Sequence, residues 1–451
     1  MPAADDDRPG GAVDVVSLEE TEDAVLEGDR PYAPGTARAA LSHHDFRTLY
    51  TGFFLSSIGT WMQSATLTYF AYSLFKSAVF NSALLFAQLG PVLLLGPLAG
   101  VIADAFDRKR LLAVTSLAQL AAAGGLALVV IDPDPNRVLM VAFVGVGGIF
   151  SAAFTPAYSA LLPSLVGQRD LPGAISLQSA GMNLSRVIGP PIGIALLNVL
   201  GADWVFAVNG ATFLFVIAAL RGLHLPAQPK TNDEEEKGFR RLGSGFRIAR
   251  RDPIVSKSLV TVTVFSVLCL LWIGQLPVFA LDQLGIGRKD TRYGILYACL
   301  GLGAALGSIA IGTVLAKRSK PMIVRYGFVS YAVILTVFAL LRSPLAADAV
   351  MVLLGAAYFG SITALNTTMQ TRLAPHERGR VMALWMMGFG GAVSVGNLVL
   401  APLVDLVGMP PLMIAGAVIT LGLAWYADLR TPDERSAQAR RGSGPIPTVG
   451  D

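Results

Sequence analysis

Long apolar stretches alternate with short polar links over most of this chain, from Phe46 to Ala427. A helix needs about 20 apolar residues to cross the roughly 30 Å of hydrocarbon in a bilayer. The pattern therefore predicts an all-α polytopic membrane protein with twelve transmembrane helices in two six-helix halves. The predicted spans are residues 46 to 73, 80 to 103, 111 to 131, 138 to 160, 174 to 200, 203 to 222, 258 to 281, 291 to 316, 321 to 341, 349 to 370, 381 to 404 and 408 to 427.

Basic residues are distributed unevenly between the two sets of links. Of the 35 Lys and Arg residues, the odd-numbered links contain six: Lys76, Arg137, Arg288, Lys289, Arg292 and Arg342. Arg186 lies within a span, and all the others lie in the tails and the even-numbered links. Positive residues concentrate on the cytoplasmic side of membrane proteins, so both termini are predicted to be cytoplasmic.

Composition agrees with a lipid environment, because 53% of the residues are hydrophobic and only 15% are charged, against about a quarter in soluble proteins. The formal charge of +4 is explained by the basic links, and no nucleic-acid partner is predicted. Cys269 and Cys299 lie in apolar stretches without metal-ligand or redox spacing, so no metal site and no cofactor is predicted.

The polar segments divide the chain into five parts. Residues 1–45 are acidic and lack the apolar core of a signal peptide, and a disordered cytoplasmic tail is predicted there. Residues 46–222 and 258–427 are the two halves, 223–257 is a cytoplasmic linker, and 428–451 is a second cytoplasmic tail. In the linker, apolar residues at helical spacing opposite a row of arginines predict an amphipathic helix on the anionic inner leaflet, or alternatively one that binds a partner. The apolar residues are Phe239, Leu242, Phe246 and Ala249.

The link between the second and third spans reads Gly100-Val101-Ile102-Ala103-Asp104-Ala105-Phe106-Asp107-Arg108-Lys109-Arg110. A small residue, an acid at the membrane edge and a basic cluster can together latch neighbouring helices in one conformation. The alternative is that the basic cluster only sets membrane orientation. This loop resembles the signature loop of the major facilitator superfamily, and the predicted latch residues are Gly100, Asp104, Asp107, Arg108, Lys109 and Arg110.

The fifth span contains the segment from Asn183 to Gly193, with the sequence NLSRVIGPPIG, preceded by Gly181. It resembles the antiporter motif of the same superfamily, although Ile194 stands where the fuller motif has a second glycine. A Gly-Pro pair loosens a spanning helix and lets a neighbour pack closely. The predicted hinge residues are Gly181, Arg186, Gly189, Pro190 and Gly193, and Arg186 is interpreted either as structural or as a contact for an anionic substrate or a sensor of protonation.

With Ser57 to Gln63 and Gly379 to Leu384, the chain resembles the branch that contains enterobactin exporters and macrolide-efflux proteins. That resemblance implies a bacterial inner membrane. It also implies that spans one, four, seven and ten line a central cavity. Polar and aromatic residues on these spans are the candidate substrate contacts: Ser56, Thr60, Gln63, Phe150, Phe154, Trp272, Gln275, Tyr358 and Asn366.

These candidates include aromatic rings, amides and hydroxyls without a fixed acid, which suits a bulky neutral or anionic amphiphile. The predicted function is export of such a small molecule, a siderophore, an antibiotic or a drug-like compound, by a monomer that alternates access and exchanges it for protons. Candidate proton carriers are Asp104, Asp282 and Asp405. An uptake symporter is the alternative, and a non-transporting receptor or scaffold is less favoured; no nucleotide-binding loop or catalytic constellation is evident, so neither an ATP-driven pump nor an enzyme is predicted.

Overall fold

The computed structural model describes residues 32–105, 107–223, 239–287 and 290–427, and every regular element in these ranges is helical. The first group of helices contains α1 Ala37–Ser42, α2 His44–Phe75, α3 Ala78–Ala105, α4 Arg108–Val129, α5 Arg137–Val199 and α6 Ala202–Gly222. The second group begins with α7 Phe239–Arg251 and α8 Pro253–Leu268, followed by the short turns Leu271–Gly274 and Leu276–Val278 and the π-helical turn Phe279–Gln283. It continues with α9 Arg292–Gly312, α10 Lys320–Leu340, α11 Pro344–Gln370, α12 Pro375–Met386, a π-helical turn Met387–Gly391, α13 Ala392–Val407 and α14 Met409–Tyr426.

Among the described residues, eight helices are long and apolar enough to cross a membrane by length and composition, and two shorter apolar helices cover 78 to 93 and 253 to 268. The helix α5 has 63 residues, about 95 Å at 1.5 Å per residue, which is too long for one crossing. It is interrupted at Gly167, whose φ of +71° lies in the left-handed region that favours glycine. Its two arms correspond to the predicted fourth and fifth spans, and the total of twelve spans stays a prediction.

Polar side chains at the links determine where several helices begin. Asp107 accepts a hydrogen bond from the backbone N–H of Arg110 and caps α4, while the Asn136 side chain caps α5. The Asp252 carboxylate accepts from Ile254 N–H and caps α8. Such caps satisfy the free N–H groups of a first helical turn, so short polar links suffice between long apolar helices.

The two groups of helices meet along two seams. In one seam α3 lies against α13 and the π-helical turn before it, and in the other the second arm of α5 lies against α9. Gly294 of α9 allows the second seam to close, because a Cβ there would lie 2.9 Å from the Cα of Pro191. Small residues therefore permit close backbone approach between the two groups.

The segment before α2 is more ordered than the sequence predicts, and the proposed disordered tail to residue 45 is wrong for its last part. Thr36 caps α1, and Ala39 and Ala40 are buried. The Asp170 carboxylate, at the link between the α5 arms, accepts from Gly35 N–H at 3.0 Å and contacts His43 Nε2 at 2.9 Å. This long-range contact was not visible in the local composition; residues 1–31 and 428–451 lie outside the described chain.

The structure has a helix in the linker, α7, and only part of its predicted apolar face is buried. Ile248 and Ala249 are buried in the core of the second group, whereas Phe246 is 53% exposed. Gly245 packs against α12, where a Cβ would lie 2.9 Å from the carbonyl oxygen of Arg380. The α7 helix therefore packs on the end of α12 as well as presenting Phe246 and arginines outward.

Candidate functional site

The predicted seventh span is broken rather than continuous. After α8 the chain forms short turns around Gly274 and Pro277, and proline cannot supply the N–H that a regular helix needs. Side chains satisfy three of the carbonyls near the break: Tyr331 O–H donates to Cys269 O at 2.9 Å, Asn397 Nδ2 donates to Leu270 O at 3.4 Å and Asn81 Nδ2 donates to Gly274 O at 2.9 Å. Irregular backbone at membrane depth is tolerated where protein groups satisfy it in this way.

Gln275 lies in this break and joins the two groups of helices. Its side chain is fully buried, and Nε2 donates to Ala78 O at 2.9 Å and to Ser82 Oγ at 2.5 Å. Its Oε1 accepts from Asn81 Nδ2 at 3.4 Å. The side chain predicted to contact substrate therefore has three polar partners on α3, and a role in substrate binding stays a prediction.

Further contacts lie beside Gln275 at the end of the bundle that is predicted to be outside. Asp282 accepts a short hydrogen bond from Tyr72 O–H and pairs with Lys76 at 3.1 Å. Asp405 accepts from the N–H of Ala78 at 3.3 Å, at the positive end of α3. We call the contacts of Gln275, Asp282 and Asp405 with residues 72 to 82 the outer clamp.

The predicted hinge glycines all face α2. A Cβ on Gly181 would lie 2.9 Å from the Tyr50 hydroxyl, and one on Gly189 would lie 2.8 Å from Ile58 O. A Cβ on Gly193 would meet Met62 Cγ at 2.7 Å. Pro190 is buried next to Gly189. The segment thus provides a thin surface along which the second arm of α5 contacts α2, as the motif predicts, and its role as a hinge stays a prediction.

Arg186 projects from the same arm between aromatic rings of both groups. Its guanidinium carbon lies 4.7 Å from the ring centroid of Trp61 on α2 and 4.6 Å from that of Phe359 on α11. Within the described chain no Asp or Glu forms an ion pair with it. Its Nε is buried and has no hydrogen-bond partner in the part of the chain that the structure describes. Arg186 is therefore a stacked cation without a counter-charge among the described residues.

Aromatic rings continue outward from this cation. Tyr297 of α9 lies 6.5 Å from Trp61 between ring centroids, and Tyr358 lies 4.3 Å from Phe359. Phe389, in the π-helical turn, lies 6.4 Å from Tyr358. The structure thus brings the predicted Arg186 and Tyr358 together with aromatic residues that the sequence analysis did not select. We call Trp61, Arg186, Tyr297, Tyr358, Phe359 and Phe389 the stacked-arginine site.

Three candidates on α2 lie away from that site. Ser56 is buried and its hydroxyl donates to Phe53 O in the same helix. Thr60 and Gln63 line a separate cavity of about 50 Å³, where Asn209 Nδ2 donates to Gln63 Oε1 at 2.7 Å. Liquid water occupies about 30 Å³ per molecule, so this cavity suits one or two waters rather than a bulky solute.

The other candidates have packing partners. The Phe154 ring is buried 6.2 Å from Phe213, within the first group. Trp272 is also buried, and its Nε1 donates to the Tyr331 hydroxyl at 2.8 Å. Phe150 is half-buried on the first arm of α5, and Asn366 accepts a short hydrogen bond from Gln370 one turn later in α11. Substrate contact by these residues stays a prediction.

The predicted latch contacts its own group of helices. Arg108 Nη1 donates to Ala160 O at 2.8 Å, and Lys109 Nζ donates to Leu223 O at 2.6 Å. These bonds attach the start of α4 to the ends of the first arm of α5 and of α6. The surroundings of Gly100 and the side chain of Asp104 lie outside what the structure describes, and Arg110 is exposed. A latch across the two groups stays a prediction.

Comparison with known proteins agrees with this architecture. A family model described as transmembrane secretion effector matches residues 35–448, nearly the whole chain. The chain belongs to this family of major facilitator superfamily transporters. The match includes residues 100–110 and 181–193, and the roles predicted for these two segments stay predictions.

Relatives of this chain are similar to it at low sequence identity. An uncharacterized transporter of the superfamily from Bacillus subtilis is 29% identical over 59% of the chain, and the match covers 63% of that relative's length. A staphyloferrin A transporter of Staphylococcus aureus is 24% identical over 80% of the chain and 89% of its own length. An enterobactin exporter of Shigella boydii serotype 18 is 26% identical over 76% of this chain and 81% of its own length.

Solved structures show the same fold. The nucleoside transporter NupG superposes with a TM-score of 0.68 at 13% identity, over 85% of this chain and 98% of its own. A bacterial homologue of the human lysosomal transporter Spinster gives a TM-score of 0.59 at 14% identity, over 86% of this chain and 93% of its own. That structure is in an inward-facing and unoccupied conformation. At these identities the similarity establishes the fold of the chain and not its substrate.

Proposed function

We propose that this protein is a secondary transporter that exports a bulky, acidic, amphiphilic small molecule, such as a siderophore, an antibiotic or a drug-like compound. The observation that carries the proposal is the stacked-arginine site. Arg186 lies where the two groups of helices meet, with one ring from each group beside its guanidinium. Aromatic rings and a single cation together suit a solute with a flat apolar part and a negative charge.

The energetics explain why the site would attract an anion. Placing an arginine at the centre of a spanning helix costs at least about 3 kcal/mol. A desolvated cation–π contact returns about 2 kcal/mol, and Arg186 makes two of them, so the rings can offset most of that cost. Stacking does not cancel the positive charge, however, because an aromatic ring has no net charge. A carboxylate or phenolate of the substrate would supply the missing counter-charge.

Two kinds of contact between the groups of helices support alternating access: closely packed seams and the polar contacts of the outer clamp. Small residues let the second arm of α5 approach α9 closely, so this seam can serve as a pivot. The outer clamp closes one end of the bundle through polar contacts that a rocking motion can break and remake. Substrate would then reach the stacked-arginine site from one side at a time.

Proton coupling is assigned to the clamp carboxylates. Asp282 is about half exposed and pairs with Lys76, so a proton taken up there removes the negative partner of that ion pair. Asp405 would similarly lose its attraction for the positive end of α3. Protonation of either carboxylate would loosen the outer clamp. A proton gradient directed inward could then drive export.

Export is favoured over uptake because the family description is a secretion effector and one relative is an exporter of enterobactin. The uptake symporter remains the second candidate, since the same fold serves the nucleoside transporter NupG. We place the protein as a monomer in the bacterial inner membrane with both termini in the cytoplasm, as the basic links predict. Transport requires no covalent chemistry, so we assign no enzymatic activity and no cofactor.

The test is transport into inverted membrane vesicles by the native chain, Arg186→Gln and Arg186→Lys. The probes are an anionic catecholate siderophore and a neutral macrolide, each with and without an uncoupler. We expect Arg186→Gln to lower uptake of the anionic probe at least about 10-fold and that of the neutral probe much less, with Arg186→Lys intermediate. Arg325→Gln, an exposed cation on α10, is the control for membrane insertion.

Equal uptake of the anionic probe by Arg186→Gln and the native chain would remove the stacked arginine from substrate binding. Uptake only in right-side-out vesicles would support the symporter instead. Uptake that persists unchanged with the uncoupler would overturn proton coupling while leaving the substrate assignment in place.

A further inference from the structure

A large cavity lies in the second group of helices, and none of its lining residues belongs to the stacked-arginine site. Both α9 and α10 pack along α11, but they hardly touch each other. The space between them is a crevice of about 700 Å³, within the size range of small-molecule sites. We call it the α9–α10 crevice.

Glycines and alanines shape this crevice. Gly307 allows α9 to approach α11, because a Cβ there would lie 2.8 Å from the Cα of Ala356. Gly360 and Ala357 form part of the floor, and Ile323 on α10 adds apolar surface to a wall. The interior is therefore mainly apolar and open on the side, which suits a hydrocarbon chain better than a polar solute.

The mouth of the crevice is basic. Lys317 and Arg318 line it and are exposed, and neither forms an ion pair among the described residues. The neighbouring Lys320 differs, because its Nζ donates to backbone carbonyls that include Leu315 O at 3.1 Å and Ala316 O at 3.0 Å. None of the described residues that line the crevice is acidic. Two cations are thus available to a ligand at the mouth.

The length of the crevice matches one leaflet of a bilayer. It extends along α10 from Ser319 at the mouth to Ser330, which is eleven residues and therefore about 16 Å at 1.5 Å per residue. Half of the roughly 30 Å hydrocarbon thickness is about 15 Å. The mouth belongs to an even-numbered link, which is predicted to face the cytoplasm, where anionic lipids attract basic residues.

From this geometry we propose that the α9–α10 crevice binds an anionic phospholipid of the inner leaflet. One acyl chain lies in the apolar crevice, and the phosphate lies between Lys317 and Arg318. The lipid fills the space between two helices that hardly touch each other. The proposal is independent of the transported substrate, because the crevice shares no residue with the stacked-arginine site.

The test is native mass spectrometry of the purified full-length chain in detergent, titrated with phosphatidylglycerol or with phosphatidylcholine of the same acyl chains. A basic residue near an anionic lipid surface is worth about a fivefold change in affinity, so Lys317→Gln with Arg318→Gln should weaken phosphatidylglycerol binding about 30-fold. Ser330→Trp, at an exposed position that lines the crevice, should weaken it by blocking the acyl chain. Arg221→Gln, an exposed cation on α6, is the matched control.

Retention of phosphatidylglycerol by the double variant at the native level would overturn the proposal, and so would equal retention of the two lipids by the native chain. Displacement of the lipid by glycerol phosphate at equal concentration would also overturn it, since the headgroup alone would then suffice. Thermal unfolding of each variant identifies misfolding, and the exposed double substitution provides the decisive comparison if Ser330→Trp does not fold.

Discussion

The outer clamp makes a quantitative prediction through Gln275. Replacing it with leucine keeps the side-chain size but removes the amide that donates to Ala78 O at 2.9 Å and to Ser82 Oγ at 2.5 Å. Each neutral hydrogen bond contributes about 0.5–1.5 kcal/mol, and buried partners left unpaired add to the loss. The variant should therefore lose about 2 kcal/mol of clamp stability, or about 30-fold in the ratio of clamped to unclamped molecules.

That shift is large enough to observe as a population change. If the ratio of clamped to unclamped molecules is about 99:1 in the native protein, it would be about 3:1 in the variant. Spin labels at Asp134 and Ser343, which are exposed at the predicted outer end on different groups of helices, report the separation by pulsed electron paramagnetic resonance. The native cysteines Cys269 and Cys299 are first replaced with alanine. Gln275→Leu should add a second, longer distance to the distribution.

The matched control is Gln119→Leu, which makes the same chemical change at a buried position. The Gln119 amide donates to Thr115 O in its own helix at 3.4 Å, so no contact between the two groups is lost. An unchanged distance distribution in Gln275→Leu would refute the reasoning, as would an equal change in the control.

Three further predictions concern the packing of α5 against α2, the ion pair of Asp282 and the broken helix. Gly189→Val should destabilise the fold by about 1–3 kcal/mol, because its side chain would overlap Ile58 O, and thermal unfolding in detergent measures the loss. Asp282→Asn should shift the same spin-label distances only slightly, since its pair with Lys76 is half exposed and contributes at most about 1 kcal/mol. Tyr331→Phe should lower the unfolding temperature, because Cys269 O and the Trp272 indole each lose a buried partner.

Each of these has a control in the same chain. A valine side chain at position 124 would lie in open space, so the Gly124→Val variant should unfold like the native protein. Equal destabilisation by Gly124→Val and Gly189→Val would contradict the packing argument. Asp132→Asn is an exposed change at the same end, and a larger shift there than at Asp282 would contradict the clamp. Tyr326→Phe removes a hydroxyl from a ring that is 61% exposed, and an equal loss of stability would show that Tyr331 has no special role.

Helix positions were largely predictable because the membrane thickness sets the length of a spanning helix, and the sequence shows that length as an apolar stretch. The predicted span at 203–222 corresponds to Ala202–Gly222, and the one at 321–341 to Lys320–Leu340. The break in the predicted span 258–281 was missed, although Gly274 and Pro277 were visible. The groups that stabilise that break, such as Asn81 and Asn397, are more than a hundred residues away and cannot be identified from local pattern.

The candidate site shows the same limit. A cation within the fifth span could be recognised from the sequence alone, but the rings that stack on Arg186 lie on α2 and α11. Trp61 falls on a different helical face from Thr60, and that face was not selected. Gln275 has the polarity of a substrate ligand, yet its partners on α3 are almost 200 residues earlier in the chain.

The placement of Arg186 has a consequence for how a substrate would enter the stacked-arginine site. Its two stacking partners belong to opposite lobes, so any swing that parts α2 from α11 must uncover one face of the guanidinium. Under the proposed function, a flat part of the substrate would replace the Trp61 or Phe359 ring on one face of Arg186. Substrate binding would then exchange one stacking partner for another, and a solute that lacks a flat surface would have to break a contact that it cannot replace.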